Sequence, residues 1–192
     1  LGLNIDDIEP FSEVSPQLAT SDKSMIQRTE NPEVKRVIAD RIATLTSIEG
    51  PVHPDRAVNF IAKCFGLSHV QTARSTSILA AIPRSRFTRD EEGFIFPDGI
   101  SISSFKSWKR KNKGDPRDIS LISLTELGNA MRDLCERTHG LEKDELLRQT
   151  MLAFGPKTMS APIRKRLEQA VGFALQRKVL VLNGDHYEPA GG

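Results

Sequence analysis

Residues 178–189 read KVLVLNGDHYEP, and the fold turns on how this stretch is read. Asn183-Gly184 is the strongest two-residue hairpin signal, because both residues tolerate positive φ. The stretch therefore predicts a β-hairpin. Working back from it, three helix faces precede the hairpin. Ile163, Leu167, Ala170, Val171 and Ala174 form one apolar side. Before them, Leu147, Met151 and Phe154 form another, stopped by Gly155. Earlier still, Leu127, Met131, Leu134 and Cys135 form a third, ended by His139-Gly140.

The same order stands earlier in the chain. After Pro32, the residues Val34, Val37, Ile38, Ile42 and Leu45 follow helical spacing, and Glu49-Gly50-Pro51 breaks the helix. A second helix starts at Pro54, a residue suited to the first helical position. It buries Val58, Ile61, Ala62 and Phe65, and Gly66 stops it. Ser75, Ile78, Leu79 and Ile82 share a third face, which Pro83 closes. SRFTRDEEGFIFPDG (85–99) then reads as strand, turn and strand, with Asp90 to Gly93 turning and Phe94 and Phe96 pointing to one side.

This is an internal repeat. Phe65-Gly66 matches Phe154-Gly155, Val52-x-x-Asp55 matches Leu141-x-x-Asp144, and FIFP matches HYEP. Three helices followed by a hairpin predict two tandem winged-helix-like domains, an α+β and mostly helical class. The expected layout is an acidic extended tether at 1–31, one domain at 32–98, a basic connector at 99–122 and a second domain at 123–192. The tether is broken by Pro10 and Pro16, and its Leu3, Ile5, Ile8 and Phe11 offer apolar contacts for another surface.

Bulk chemistry sets limits. The 192 residues are 38% hydrophobic and 27% charged, with a net charge of +2, so the chain is no uniformly basic polyanion binder. Cys64 and Cys135 form no CxxC pair, which supports neither a disulfide framework nor a zinc site and fits a reducing, cytoplasmic setting. No apolar run approaches the roughly 18–20 residues of a membrane span. The chain opens on Leu1-Gly2-Leu3 rather than Met, so it is expected to be a piece of a longer protein.

The segment IEGPVHPDRAVNFIAKCFGL (48–67), and above all Glu49, Gly50, Pro51, Val52 and His53, resembles part of a domain of unknown function. That domain sits near the C-terminus of large bacterial superfamily-one DNA helicase-related proteins. The residues from Leu124 to Pro189 resemble the segment that follows it there. The resemblance implies a helicase-associated setting, with other domains of the parent protein as partners.

The residues themselves carry no catalytic motif. There is no GxxxxGK[ST] loop for ATP phosphates, no nuclease-type carboxylate cluster and no GxSxG nucleophile turn. His53, before a helix start, reads as a cap or a packing residue. No cofactor, metal or small-molecule substrate is expected.

Two sets of residues point to nucleic acid. The connector gathers Lys106, Lys109, Arg110, Lys111, Lys113 and Arg117 around Trp108, the single tryptophan, which suits phosphate neutralisation with stacking. The same pattern also suits a solvated connector whose Trp108 packs on a domain. In the second copy's third helix, Lys165, Gln169, Gly172 and Gln176 point outward, with Arg164 and Arg166 at the flanks and Glu168 nearby. Arg177 and Lys178 lead into the hairpin. The first copy offers only Ala73, Ser77 and Ala80 on the matching face, with Arg74 beside them and Arg84, Arg86 and Arg89 beyond the helix. The expectation is a non-catalytic accessory module that binds or positions DNA. The alternative is a protein-interaction or regulatory module that docks on the parent's other domains or mediates oligomerisation.

Overall fold

The computed structural model describes residues 2–20, 22–113 and 115–191. Leu1, Ser21, Gly114 and Gly192, which fall in the expected tether, connector and second domain, lie outside the described residues. The fold is α+β and mostly helical, with six α-helices and one three-stranded antiparallel sheet among the described residues. The chain divides into two units. The first is Ser12–Ser104, and the second joins residues 2–11 to residues 105–191.

In the first unit, α1 (Pro32–Glu49) starts with Pro32 in its first turn and Asn31 as cap, the Asn31 side chain accepting from the Glu33 N–H at 2.8 Å. Gly50, at φ 88°, ends it. α2 (Pro54–Cys64) is capped by His53, whose Nδ1 accepts from the Asp55 N–H at 3.2 Å. The same ring stands edge-on to Phe94, with centroids 5.2 Å apart. α3 (Thr72–Ala81) completes a core of Val34, Ile38, Ile42, Leu45, Val58, Ile61, Phe65 and Ile78.

The expected hairpin at 85–99 is reduced to isolated bridges. Ile95 bridges Arg89 on one side and Val52 on the other, and the Ile95 and Val52 amides each donate to the other's carbonyl at 2.9 Å. Phe94, Ile95 and Phe96 are all buried, so the expected alternation of faces fails: this strand-like segment is covered on both sides.

The second unit contains α4 (Leu124–Thr138), β1 (Leu141–Glu142), α5 (Lys143–Phe154), α6 (Ala161–Gln176), β2 (Leu180–Asn183) and β3 (His186–Pro189). The strand order is β1-β3-β2, and Tyr187 pairs with Leu141 on one side and Leu182 on the other. Ile95 stands in the same relation to Val52 and Arg89 in the first unit. Phe154 is fully buried, like Phe65, and each is followed by a glycine at positive φ. At Gly155 the glycine is obligatory, since a Cβ there would stand 2.5 Å from Pro116 Cα. β1 was not anticipated; two residues are too few to leave a periodic signal.

Residues 2–31 differ from the expected tether, because both parts of the segment are packed. Ile5 and Ile8 pack on the core of the second unit. Val14, Ala19, Met25 and Ile26 pack on that of the first. Backbone and side-chain groups fix them: the Leu3 N–H donates to Gln149 at 2.9 Å, the Val14 N–H to Glu49 at 2.8 Å and the Ala19 N–H to the Cys64 carbonyl at 2.8 Å. Met25 and Ile26 sit on a single 3-10 turn, Lys23–Gln27, and the other residues dock one by one from irregular backbone, so neither leaves a periodicity to read.

Cys64 and Cys135 are core residues, and burial pushes both thiols up, that of Cys135 to about 12. Among the described residues, no helix is long and apolar enough to cross a membrane.

Candidate nucleic-acid interface

The connector is not a free basic arm, which corrects the reading of its central residues. Trp108 is buried in the second unit's core, its ring 5.6 Å from that of Phe154, so it offers no open stacking platform. The Lys109 N–H donates to Glu126 at 3.1 Å, and its ammonium pairs with Glu9 at 2.6 Å. Arg110 Nε donates to the Ile8 carbonyl at 2.8 Å. The Lys111 N–H donates to the Ala153 carbonyl at 2.9 Å, leaving that side chain half-buried. Only Lys106 and Lys113 of the connector lysines are exposed.

Beneath this segment lies a charge network. Arg117 and Glu126 form a buried ion pair at 2.6 Å, and Arg117 also donates to the Lys109 carbonyl at 2.6 Å. The Arg117 guanidinium stacks between Phe11, 4.3 Å from its centroid, and Phe154, at 5.3 Å.

Of the flanks of α6, Arg164 stays exposed in a surface ion pair and Arg166 is held in the structure. Arg164 pairs with Asp144 at 2.9 Å, and Glu168 pairs with Lys143 at 3.1 Å. Arg166 is half-buried and donates to the Ile122 carbonyl at 2.7 Å, which makes it an anchor between α6 and the turn before α4. What remains is a stripe of Lys165, Gln169, Gly172 and Gln176, all exposed. A Cβ added at Gly172 would meet nothing within 4 Å.

At the end of the stripe, Arg177 is exposed and lies over the Phe173 ring at 5.3 Å. Lys178 is exposed at φ 54°, where the Val179 N–H closes the helix end on the Ala174 carbonyl at 2.8 Å. That conformation normally selects glycine. The hairpin beyond exposes Leu182 to 52% and carries Asp185, paired with His186 at 2.7 Å.

Two of the three arginines that follow α3, Arg86 and Arg89, are structural. Arg89 donates to the Leu79 and Ile82 carbonyls at 2.6 and 3.2 Å, capping the end of α3, and Arg86 pairs with Asp98 and Asp40. Arg84 is exposed, as are Ala73, Ser77 and Ala80.

The sequence reading missed the acidic partners. Asp7 accepts two bonds from Arg137, at 2.9 and 2.7 Å, and these hold its carboxyl below the usual carboxylate range. The available signal was charge complementarity between Asp6-Asp7-Ile8-Glu9 and the connector. Among the described residues, no group of three or more His, Cys, Asp or Glu side chains is placed to hold a metal ion. Comparisons with protein-family models, curated proteins and solved structures found no match.

Proposed function

We propose that both units are winged-helix modules, and that the chain is a non-catalytic accessory module binding nucleic acid through the α6 face of the second unit. The β2–β3 hairpin is then the wing, and Val52, Arg89 and Ile95 are the remnant of the same sheet in the first unit. The observation that carries the reading is the stripe Lys165-Gln169-Gly172-Gln176. It is exposed, contains no carboxylate, and runs into Arg177 and Lys178. Lysine and glutamine suit phosphates and base edges. The nearest carboxylate on the helix, Glu168, is already engaged by Lys143. The resemblance to helicase-related proteins adds the setting, a module that positions DNA for an attached motor.

Lys178 supports the reading from energetics. A lysine at positive φ costs roughly 1 kcal/mol against glycine, so its charge stands where a less strained residue fits. A second reading applies to the first unit. Pro32, Ala39, Ala80, Ala81 and Pro83 line a groove of about 410 Å³, and this unit suits docking on other domains of the parent protein.

Gly172→Glu is the decisive substitution. A Cβ at Gly172 meets open space, so the exchange should leave stability unchanged or raise it by up to about 1 kcal/mol through helix propensity. If α6 lies against a phosphate backbone, a carboxylate at its centre should weaken duplex binding at least tenfold, read by fluorescence anisotropy of a labelled oligonucleotide. Affinity unchanged in the folded variant would refute the α6 interface.

A further inference from the structure

The N-terminal acidic segment is tied to the connector by an isolated parallel bridge. Pro10 bridges Arg110 in parallel register. The Arg110 N–H donates to the Glu9 carbonyl at 3.1 Å, and the Phe11 N–H donates to the Arg110 carbonyl at 2.8 Å. On this backbone frame two ion pairs and one side-chain bond to a backbone carbonyl hold the acidic segment in place. Glu9 takes the Lys109 ammonium at 2.6 Å, Asp7 takes Arg137 at 2.7 Å, and the Ile8 carbonyl takes Arg110 Nε at 2.8 Å.

The exposures show which partner covers which. The Glu9 and Asp7 side chains are 71% and 65% exposed, whereas those of Lys109 and Arg137 are 11% and 27% exposed. The carboxylates lie outside and the cations beneath them. Lys106 is exposed beside the same segment, and Lys106, Trp108 and Arg132 line a shallow cleft with Asp7, Ile8 and Glu9.

We propose that Asp6–Glu9 is an autoinhibitory strap: it occupies the cations of Lys109, Arg110 and Arg137, and the phosphates of a nucleic acid compete with it for them. The carboxylates face solvent, and salt screens a pair on its open side, so the carboxylates are displaceable. The apolar anchors Ile5 and Ile8 return the strap to its place when the competitor leaves. Arg137 keeps Asp133, at 2.8 Å, in either state, so the phosphates gain Lys109 and Arg110 in full and Arg137 in part. This site is separate from α6, and the inference rests on the nucleic-acid reading of the second unit.

The test uses the full chain and a labelled duplex oligonucleotide. Asp7→Asn with Glu9→Gln removes charge while leaving Ile5, Ile8 and Phe11 in place. It should tighten binding about three- to tenfold and steepen the salt dependence by about one to two counterions. Adding Lys109→Ala should cancel the gain. Unchanged or weaker binding by the charge variant, with Trp108 fluorescence still native, overturns the strap. If the variant is not native, hydrogen exchange on the unaltered chain decides. Nucleic acid should speed exchange of the Phe11 and Arg110 amides, and unchanged or slower exchange overturns the proposal. An α6 substitution that weakens binding while the strap variant changes nothing refutes the strap alone. A strap variant that gains affinity while α6 substitutions are silent refutes the α6 reading alone. No binding by any form refutes both.

Discussion

Phe154→Ala is expected to destabilise the second unit by about 3–5 kcal/mol, the cost of emptying a large, fully buried aromatic site. The ring packs beside Trp108 and under the Arg117 guanidinium, so its removal leaves a cavity against two rigid planar groups that cannot easily close it. Phe65→Ala should cost the first unit a similar amount, because Phe65 is as deeply buried at the end of α2. The two effects are separable by eye. Trp108 is the single tryptophan and belongs to the second unit, so its fluorescence reports that unit, while circular dichroism reports all helices. In urea, Phe154→Ala should shift the fluorescence transition and Phe65→Ala only a dichroism phase. Losses below about 1 kcal/mol in both would mean that neither ring closes a core.

A comparable loss should follow Glu126→Ala. Glu126 is 1% exposed and holds Arg117, itself 8% exposed, so truncation strands a buried guanidinium. Removing one partner of such a pair costs about 3–5 kcal/mol, far more than the pair itself contributes. Glu126 also accepts from the Lys109 N–H, so the connector loses an anchor together with the charge partner. The expected readout is an earlier fluorescence transition together with faster hydrogen exchange at Lys109. Arg117→Met combined with Glu126→Leu should recover most of the loss, since neither charge is then left unpaired. A double variant as unstable as Glu126→Ala would show that the network contributes through geometry rather than through charge balance.

Much of the fold is written in local signals. Pro32, Pro54, Gly50, Gly66 and Gly155 mark helix ends because proline and positive-φ glycine act on their own residue and its neighbours. The pairing of FIFP with HYEP is legible for the same reason: Ile95 and Tyr187 each carry the central position of their unit's pairing. What escaped is non-local. Trp108 sits among lysines, and only the distant Phe154 makes it a core residue. Lys109, Arg110 and Arg164 read as available cations until Glu9, the Ile8 carbonyl and Asp144 are placed beside them. Of the residues singled out for nucleic acid, Lys106, Lys113, Arg164, Lys165, Gln169, Arg177 and Lys178 are exposed, and Lys165 and Gln169 are so because they lie opposite the α6 face that buries Leu167, Ala170, Val171 and Ala174.

The most direct measurement of the α6 interface is a salt titration of duplex binding. It compares the unaltered chain with a variant carrying Lys165→Ala, Arg177→Ala and Lys178→Gly. Each phosphate contact contributes about one counterion to the slope of log affinity against log salt. The interface predicts binding at low salt and a slope smaller by about two to three in the variant, with helix content preserved. An identical slope and affinity in both proteins, or no binding by the unaltered chain at low salt, would contradict it.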